Sequence, residues 1–578
     1  MGKYTFIDKE FTSKYEALKE SLKDDLFLIM EIEVSGVTQD VVIQIEHKSN
    51  REDVSERIYE YLCYAWLLRR KPVWSIVIYT DDAVWRKPIP DTFWYAFSSK
   101  NKKQYCHFDV IKVNSEKSGD LIKEHSLMCK LLALKAGDSD VGSKALIYEI
   151  YKYVMTIKLT HLGAKNCVTG SCHLVQTRPD STGGINILVD CGTAQGLDPV
   201  LPFDRFPVRI ENIHYLFLTH AHIDHIGRVP DLIDAGFRGE ILCTHATKAL
   251  LIPMLRDAMS FSNRTDKVIR SMETLIDELS WGFELHETFS LKQGVTFKLS
   301  NAGHILGSCF ILFTFPGDGT PDFRVIFSGD LGCTDTPIIP DPDPPDACDL
   351  LVLESTYGDR NHTGREDRVT ALKKLLKRAL EDKGIVYIPA FSLGRTQELI
   401  YELDRIKTEA PVFIDSPLGL GITKLYQDME PFWDKEARTL KAQGDHPIDF
   451  KNLYAVEKFK DHQYLLNIKG PAIIIAGSGM CTGGRIVDHL KNGLDNPVND
   501  IFFVGYQAKG TPGRAIMEGK TPSRAGIHTL TGYSAHADQN SLVAWVKSMP
   551  EPPGDIRLVH GEPEAQKALA LKLRHVIN

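Results

Sequence analysis

The stretch Thr219-His220-Ala221-His222-Ile223-Asp224-His225 constrains this chain more than any other. Four metal-binding side chains stand within six positions, directly after the apolar run Tyr215-Leu216-Phe217-Leu218. That run reads as a buried strand. A strand end followed by a tight turn aims His220 and His222 to one side and Asp224 and His225 to the other, which suits two adjacent cations. Imidazole nitrogen and carboxylate oxygen without thiolate sulfur are more often the donors of a catalytic zinc site than of a structural one. One histidine in a polar loop would carry no such argument; four donors on one turn do.

At 578 residues the chain exceeds what a single core can hold, and its length suits about three or four domains. Hydrophobic content of 43% and charged content of 25% are ordinary for a soluble globular protein. The net charge of −8 does not advertise a nucleic-acid binder, nor does it exclude one, because bound cations and a local basic groove can dominate one site. Eleven scattered cysteines, odd in number and without a CxxC pair, read as reduced thiols of a cytoplasmic protein. The opening Met1-Gly2-Lys3-Tyr4 leads into a charged stretch with no apolar signal core, and no apolar run approaches a membrane span.

Residues 1–155 read as a first unit without the histidine cluster. Residues 26–34 and 41–46 read as strands joined at Ser35-Gly36, residues 51–70 as an amphipathic helix, and residues 73–79 as a further strand. Alternation puts Gln44, Glu46 and Lys48 on one strand face. An upstream acid could join Glu46 to hold one Mg²⁺ near a scissile phosphate while Lys48 orients water. Asp25 suits that role best, with Asp24, Glu31 and Glu33 as competitors. Glu-x-Lys alone is common on solvated strands. Its context, Glu46-His47-Lys48, then a helix, then Lys71-Pro72-Val73-Trp74-Ser75-Ile76-Val77-Ile78-Tyr79-Thr80-Asp81-Asp82, resembles the transposase-associated Rpn-like branch of the PD-(D/E)xK nuclease fold. The resemblance covers about a quarter of the chain and implies an N-terminal α/β restriction-endonuclease-like domain, with DNA as a second target. Residues 136–143 have linker composition, and a short helix to Met155 follows.

From Ile157 onward short apolar strands alternate with glycine-rich turns and helices, which predicts a layered α/β domain. Residues 336–346, rich in proline and aspartate, read as an ordered surface loop. Four further polar residues stand at strand ends or in glycine-flanked turns: Asp190 in Val189-Asp190-Cys191-Gly192, His304 in Ala302-Gly303-His304, Asp330 in Ser328-Gly329-Asp330, and His560 in Leu558-Val559-His560-Gly561. Singly, each reads as structural. In this order, with Lys158-Leu159-Thr160-His161-Leu162-Gly163-Ala164 and Val168-Thr169-Gly170-Ser171-Cys172-His173 ahead of them, the chain resembles the metallo-β-lactamase fold and its β-CASP branch of RNA-processing nucleases.

The resemblance implies an αββα sandwich with an inserted α/β β-CASP domain. Its parts would be residues 156–364 and 526–578 for the sandwich and 365–525 for the insertion. It also implies two Zn²⁺ ions, one on His220, His222 and His304 and one on Asp224, His225 and His560. Asp330 would bridge them, and Asp190 would orient the ligand turn. Two such ions carry four positive charges; Asp224, Asp330 and a bridging hydroxide remove three, leaving one to meet a phosphodiester. His536 in Gly532-Tyr533-Ser534-Ala535-His536-Ala537-Asp538 is implied as the general acid, with Glu354 as its carboxylate partner.

Within the insertion, residues 369–380 and 396–406 read as helices and residues 384–389 and 472–475 as strands. Ala390-Phe391-Ser392-Leu393-Gly394-Arg395 and the glycine-rich stretch from Ala476 to Arg485 are turns of the kind that hold phosphate. Ser392, Arg395, Ser478, Arg485 and Arg514 are therefore candidate RNA-backbone contacts, which position a strand without reading it. The expected activity is hydrolysis of single-stranded RNA. Histidine at position 560 favours RNA over DNA, since the DNA-repair members of the branch carry an apolar residue there. The alternatives are a small-molecule hydrolase of thioesterase or lactonase type, a DNA-directed nuclease relying on the first unit, and a non-catalytic RNA-binding subunit. No membrane is expected as partner, and self-association is compatible with the chain.

Overall fold

The computed structural model of the chain divides into two units, Met1–Met155 and Thr156–Asn578. It describes residues 157–177, 184–317 and 321–577, and only the strands of the first unit. Those are β1 (Tyr4–Phe6), β2 (Asp25–Val34), β3 (Val37–Lys48), β4 (Val73–Tyr79), β5 (Thr92–Ala96), β6 (Lys102–His107) and β7 (Asp109–Lys112). They form a mixed sheet ordered β1-β2-β3-β4-β7 and a separate β5-β6 pair. Strands β2 and β3 are antiparallel, with Val34 opposite Val37, so two residues connect them. In the same register Asp25 stands opposite Glu46. The helix expected over residues 51–70, the linker and the short helix before Met155 lie outside the described residues.

The second unit begins with two sheets of six strands. The first contains β8 (Ile157–Gly163), β9 (Cys172–Thr177), β10 (Asn186–Val189), β11 (Tyr215–Phe217), β12 (Glu240–Thr244) and β13 (Ser280–Phe283). The second contains β14 (Thr288–Ser290), β15 (Thr296–Asn301), β16 (Cys309–Phe315), β17 (Phe323–Phe327), β18 (Leu350–Glu354) and β25 (Asp555–Val559). Apolar residues on their facing sides make one core, in which Ile187, Val189 and Phe217 pack with Phe297, Ile311, Phe313, Val352 and Val559. Phe217 meets Phe297 and Phe313 edge-on, with centroids 4.9 and 4.8 Å apart, an arrangement aromatic quadrupoles favour. Helices cover both outer faces. Leu250 and Leu255 of His245–Ser260 back the first sheet, while Leu542 of Gln539–Lys547 and Leu569 of Pro563–Ile577 back the second.

Strands β18 and β25 are parallel neighbours although about two hundred residues separate them, so the chain leaves the sandwich after β18, forms an insertion and returns before β25. That insertion has its own sheet: β19 (Ile385–Pro389), β20 (Val412–Asp415), β21 (Leu453–Ala455), β22 (Ala472–Ala476), β23 (Asp500–Phe503) and β24 (Gly526–Thr529), ordered β21-β20-β22-β19-β23-β24. Every pairing in it is parallel. Parallel sheets are covered on both faces, and Ile473, Ile474 and Ile475 are accordingly fully buried. The return to the sandwich comes later than position 526, because Gly526–Thr529 pairs with β23 as the last strand of the insertion. No helix among the described residues is long and apolar enough to cross a membrane.

Candidate metal centre

Strand ends deliver the polar residues to one place. Asp190 follows β10, the Thr219–His225 turn follows β11, Asp330 follows β17, Glu354 closes β18 and His560 follows β25. His304 sits between the antiparallel strands β15 and β16. Two glycines let these turns interlock. A Cβ on Gly192 would lie 1.5 Å from the Asp224 carbonyl oxygen, and one on Gly332 would lie 1.7 Å from that of Gly303. Asp190 and His560 adopt left-handed backbone at φ 59° and φ 50°, an uncommon conformation for non-glycine residues that clusters at functional sites.

His222 caps the short helix Ile223–Ile226, so Asp224 and His225 belong to its first turn while His220 stays on the strand side. His222 Nδ1 lies 3.1 Å from His220 Nε2 and 3.2 Å from His304 Nε2. Opposite them, His225 Nε2 lies 3.1 Å from His560 Nε2, and Asp224 Oδ2 is 3.6 Å from His560 Nε2. Asp330 stands between the two groups. Its Oδ2 is 3.6 Å from His220 Nε2, 3.7 Å from His304 Nε2 and 3.3 Å from His225 Nε2, and its Oδ1 is 3.4 Å from His560 Nε2. Asp330 Oδ1 is buried and accepts no hydrogen bond.

The protonation states fit cations. Burial holds His220 and His304 well below the ordinary imidazole value and lowers His222 to about 4, so all three present lone pairs. Burial alone would lower His225 too, yet Asp330 and Asp190 raise it well above that value; the carboxylates demand positive charge at this spot. Three neutral imidazoles grouped with the buried Asp330 carboxylate make a donor set for divalent zinc. Supporting bonds fix the rings. His225 Nδ1 is 2.7 Å from Asp190 Oδ2, Thr356 Oγ1 lies 3.0 Å from His560 Nδ1, and the Thr219 amide donates to Asp190 Oδ1 at 2.9 Å.

Beside this centre, His536 Nδ1 lies 3.2 Å from Glu354 Oε2 and 3.8 Å from Asp330 Oδ2. The fully buried Glu354 accepts the Leu331 amide at 2.6 Å, and the Ala537 amide donates to the Leu331 carbonyl at 2.7 Å. One backbone exchange thus holds Asp330, Glu354 and His536 together. Burial would lower the His536 pKa, but Glu354 and then Asp330 outweigh it and raise it to about 9. Its Nε2 is left for the cleft that His536 lines.

That cleft runs from His222, Asp224, His304 and Asp330 to Phe391, Ser392, Arg395 and Ser478 of the insertion. Ile338 and Ile339 also line it, so residues 336–346 are in part buried wall and not only surface loop. Arg395 is already paired with Glu398. Two expected RNA contacts do not reach the cleft. Arg485 donates to Asp415 Oδ1 at 2.7 Å and to the carbonyls of Val456 and Glu457 at 2.7 and 2.9 Å, which commits its guanidinium to the insertion's interior. Arg514 pairs with Glu518 at 2.6 Å on its own helix. The sequence pattern did not single out Phe391 and Tyr506, which line the cleft, or the supporting Thr219 and Thr356. Phe391 stands beside Ser392 in the turn after β19, so an aromatic at the mouth of a phosphate-type loop was the available signal.

Comparison with known proteins decides the family. Residues 166–390 match the metallo-beta-lactamase superfamily, residues 396–516 the Beta-Casp domain, and residues 521–576 the Zn-dependent metallo-hydrolase RNA specificity domain. Ribonuclease TTHA0252 of Thermus thermophilus is 34% identical over 427 residues, covering 72% of this chain and 95% of that protein. The chain belongs to the β-CASP branch of the metallo-β-lactamase superfamily. Transcription termination factor FttA of Methanocaldococcus jannaschii is 29% identical to this β-CASP protein, over 70% of this chain and 67% of its own length. Cleavage and polyadenylation specificity factor 73 of Drosophila melanogaster is 28% identical, over 72% and 62%. The matched domains begin at residue 166, within the second unit.

Proposed function

We infer that this β-CASP protein is a zinc-dependent ribonuclease that hydrolyses phosphodiester bonds of single-stranded RNA. The observation that carries the reading is Asp330, a buried carboxylate shared by two groups of imidazole donors, with the His536–Glu354 pair beside it at the cleft. His220, His222 and His304 would hold one zinc, and Asp224, His225 and His560 the other, with Asp330 common to both. Zinc bound there supplies water acidified towards neutral pH and positive charge for the phosphoryl oxygens. Asp190 fixes the His225 tautomer by accepting from Nδ1, which leaves Nε2 to the metal side. Glu354 does the same for His536 and keeps it protonated, so that Nε2 donates to the departing ribose oxygen. Ser392, Arg395 and Ser478 line the route of the strand. Names of relatives that are a ribonuclease, a termination factor and a cleavage factor support RNA over a thioester or lactone. The test is cleavage of end-labelled unstructured RNA: fragments that vanish with chelator and return with zinc support the reading, and turnover of a thioester without RNA cleavage overturns it.

A second reading concerns the first unit, where Asp25 stands opposite Glu46 in the β2–β3 register, two positions from Lys48. An acid facing the Glu-x-Lys strand supports a PD-(D/E)xK-like site using Mg²⁺ on DNA. Lys48→Ala should abolish a magnesium-dependent DNA cleavage while leaving RNA cleavage intact; equal DNA cleavage by both proteins removes the site. Eight free cysteines among the described residues agree with a cytoplasmic setting. Self-association remains compatible with this reading.

A further inference from the structure

The insertion's parallel sheet sends its loops to one edge. After β19 comes Phe391-Ser392, after β22 Ser478-Gly479, after β23 Gly505-Tyr506, and these line the cleft. Neighbouring β20 and β21 run parallel to them, so the segment after β21 reaches that same edge. Two strand spacings separate β21 from β22, about 10 Å. Strand β21 and the helix Phe459–Leu465 after it have an unusual surface. On the strand Tyr454 is 48% exposed, and on the helix Phe459 is 64% and Tyr464 77% exposed. Residues 451–470 also carry four lysines, Lys451, Lys458, Lys460 and Lys469, against one glutamate and one aspartate, in a chain whose net charge is −8. All four are exposed and none makes an ion pair among the described residues.

The surface is held rigidly to the cleft. On the helix Phe459–Leu465, His462 turns inward and its Nδ1 lies 2.6 Å from Asp415 Oδ2, while Phe459 and Tyr464 stay outside. Arg485 ties the Val456 and Glu457 carbonyls to Asp415. Asp415 directly precedes Ser416, whose Oγ is 3.1 Å from Ser392 Oγ at the cleft. Aromatic faces interleaved with lysines suit single-stranded RNA, because every base has a face to stack and every linkage an anion to meet. Lysine is depleted at protein–protein interfaces, which disfavours a protein occupant.

We propose that Tyr454, Phe459 and Tyr464 with Lys458 and Lys460 form a second RNA contact, a stacking platform that holds the strand beyond the cleft. The proposal rests on the ribonuclease reading and adds where flanking RNA runs. Long substrates use it; a substrate confined to the cleft does not. The test compares the full-length zinc-loaded protein with F459A/Y464A and with K458A/K460A, after checking that each keeps the parent melting temperature. Binding of a fluorescent ~20-nucleotide unstructured RNA should weaken about tenfold or more for the ring variant. The lysine variant should flatten the dependence of log affinity on log salt by roughly 1.4. Cleavage of a ~4-nucleotide oligomer should be unchanged in both. Equal affinity of all three proteins for the long RNA overturns the platform. So does a parent dimer that becomes monomeric in the ring variant with no loss of RNA affinity, which assigns the surface to a second copy. Failure of the parent to cleave either RNA overturns the ribonuclease reading instead.

Discussion

Two buried clusters in this chain are built from the same residue types and do different things. Around Asp330 five imidazoles approach a carboxylate that keeps one oxygen free of hydrogen bonds. Around Asp415, His462 Nδ1 and His489 Nε2 both lie 2.6 Å from Oδ2, and Arg485 donates to Oδ1 at 2.7 Å. In the second cluster the guanidinium already supplies the cation, and both carboxylate oxygens are engaged. Burial would raise the Asp415 pKa, but its bonds to His489, His462 and Arg485 lower it below the ordinary carboxylate value. In the first cluster no arginine or lysine enters among the described residues, His220, His222 and His304 are neutral, and the positive charge that Asp330 and Asp190 call for rests on titratable imidazoles, His225 and His536. Residue type therefore does not distinguish the proposed metal site; an acceptor without a hydrogen bond and three neutral imidazoles do.

That contrast is open to attack at three points. The largest effect is expected from Arg485→Met, which strands Asp415 without its cation. Breaking a buried pair in this way costs about 3 kcal/mol, read as a lower midpoint in urea, with zinc content unchanged. Zinc lost together with stability would mean that the two clusters are one system. Next comes His536→Ala, which removes the proposed proton donor but no proposed zinc donor of either group. Turnover on RNA should fall roughly a hundredfold while both metals stay bound; unchanged turnover takes His536 out of the chemistry. The smallest is Glu354→Gln. The His536 pKa is raised, so its proton is held below about 9 and lost as pH climbs through that value. Loss of the Glu354 charge should move the falling alkaline limb of the rate profile down by about one unit. A limb that does not move assigns the proton elsewhere.

Much of the first cluster is legible in the sequence, because each donor closes an apolar strand and sits among small residues, a pattern confined to a few positions. Its supporting hydroxyls are not, since Thr219 and Thr356 look like any strand-end threonine. Arg485 misleads for a physical reason. It follows a glycine-rich turn at a helix start, which is how a phosphate cradle reads, but its partner Asp415 lies 70 positions away and leaves no local trace. The second cluster is invisible for the same cause: Asp415, His462 and His489 meet only when three elements of the insertion pack. The late return of the chain after β24 escapes notice because Gly526-Ile527-His528-Thr529 is four residues long and only half apolar.

Zinc stoichiometry tests the contrast most directly. Elemental analysis of the full chain should give two zinc ions per molecule, still two in H462A/H489A, and a loss in Asp330→Ala. Three ions in the parent with one lost in H462A/H489A, or an undiminished pair in Asp330→Ala, would contradict it.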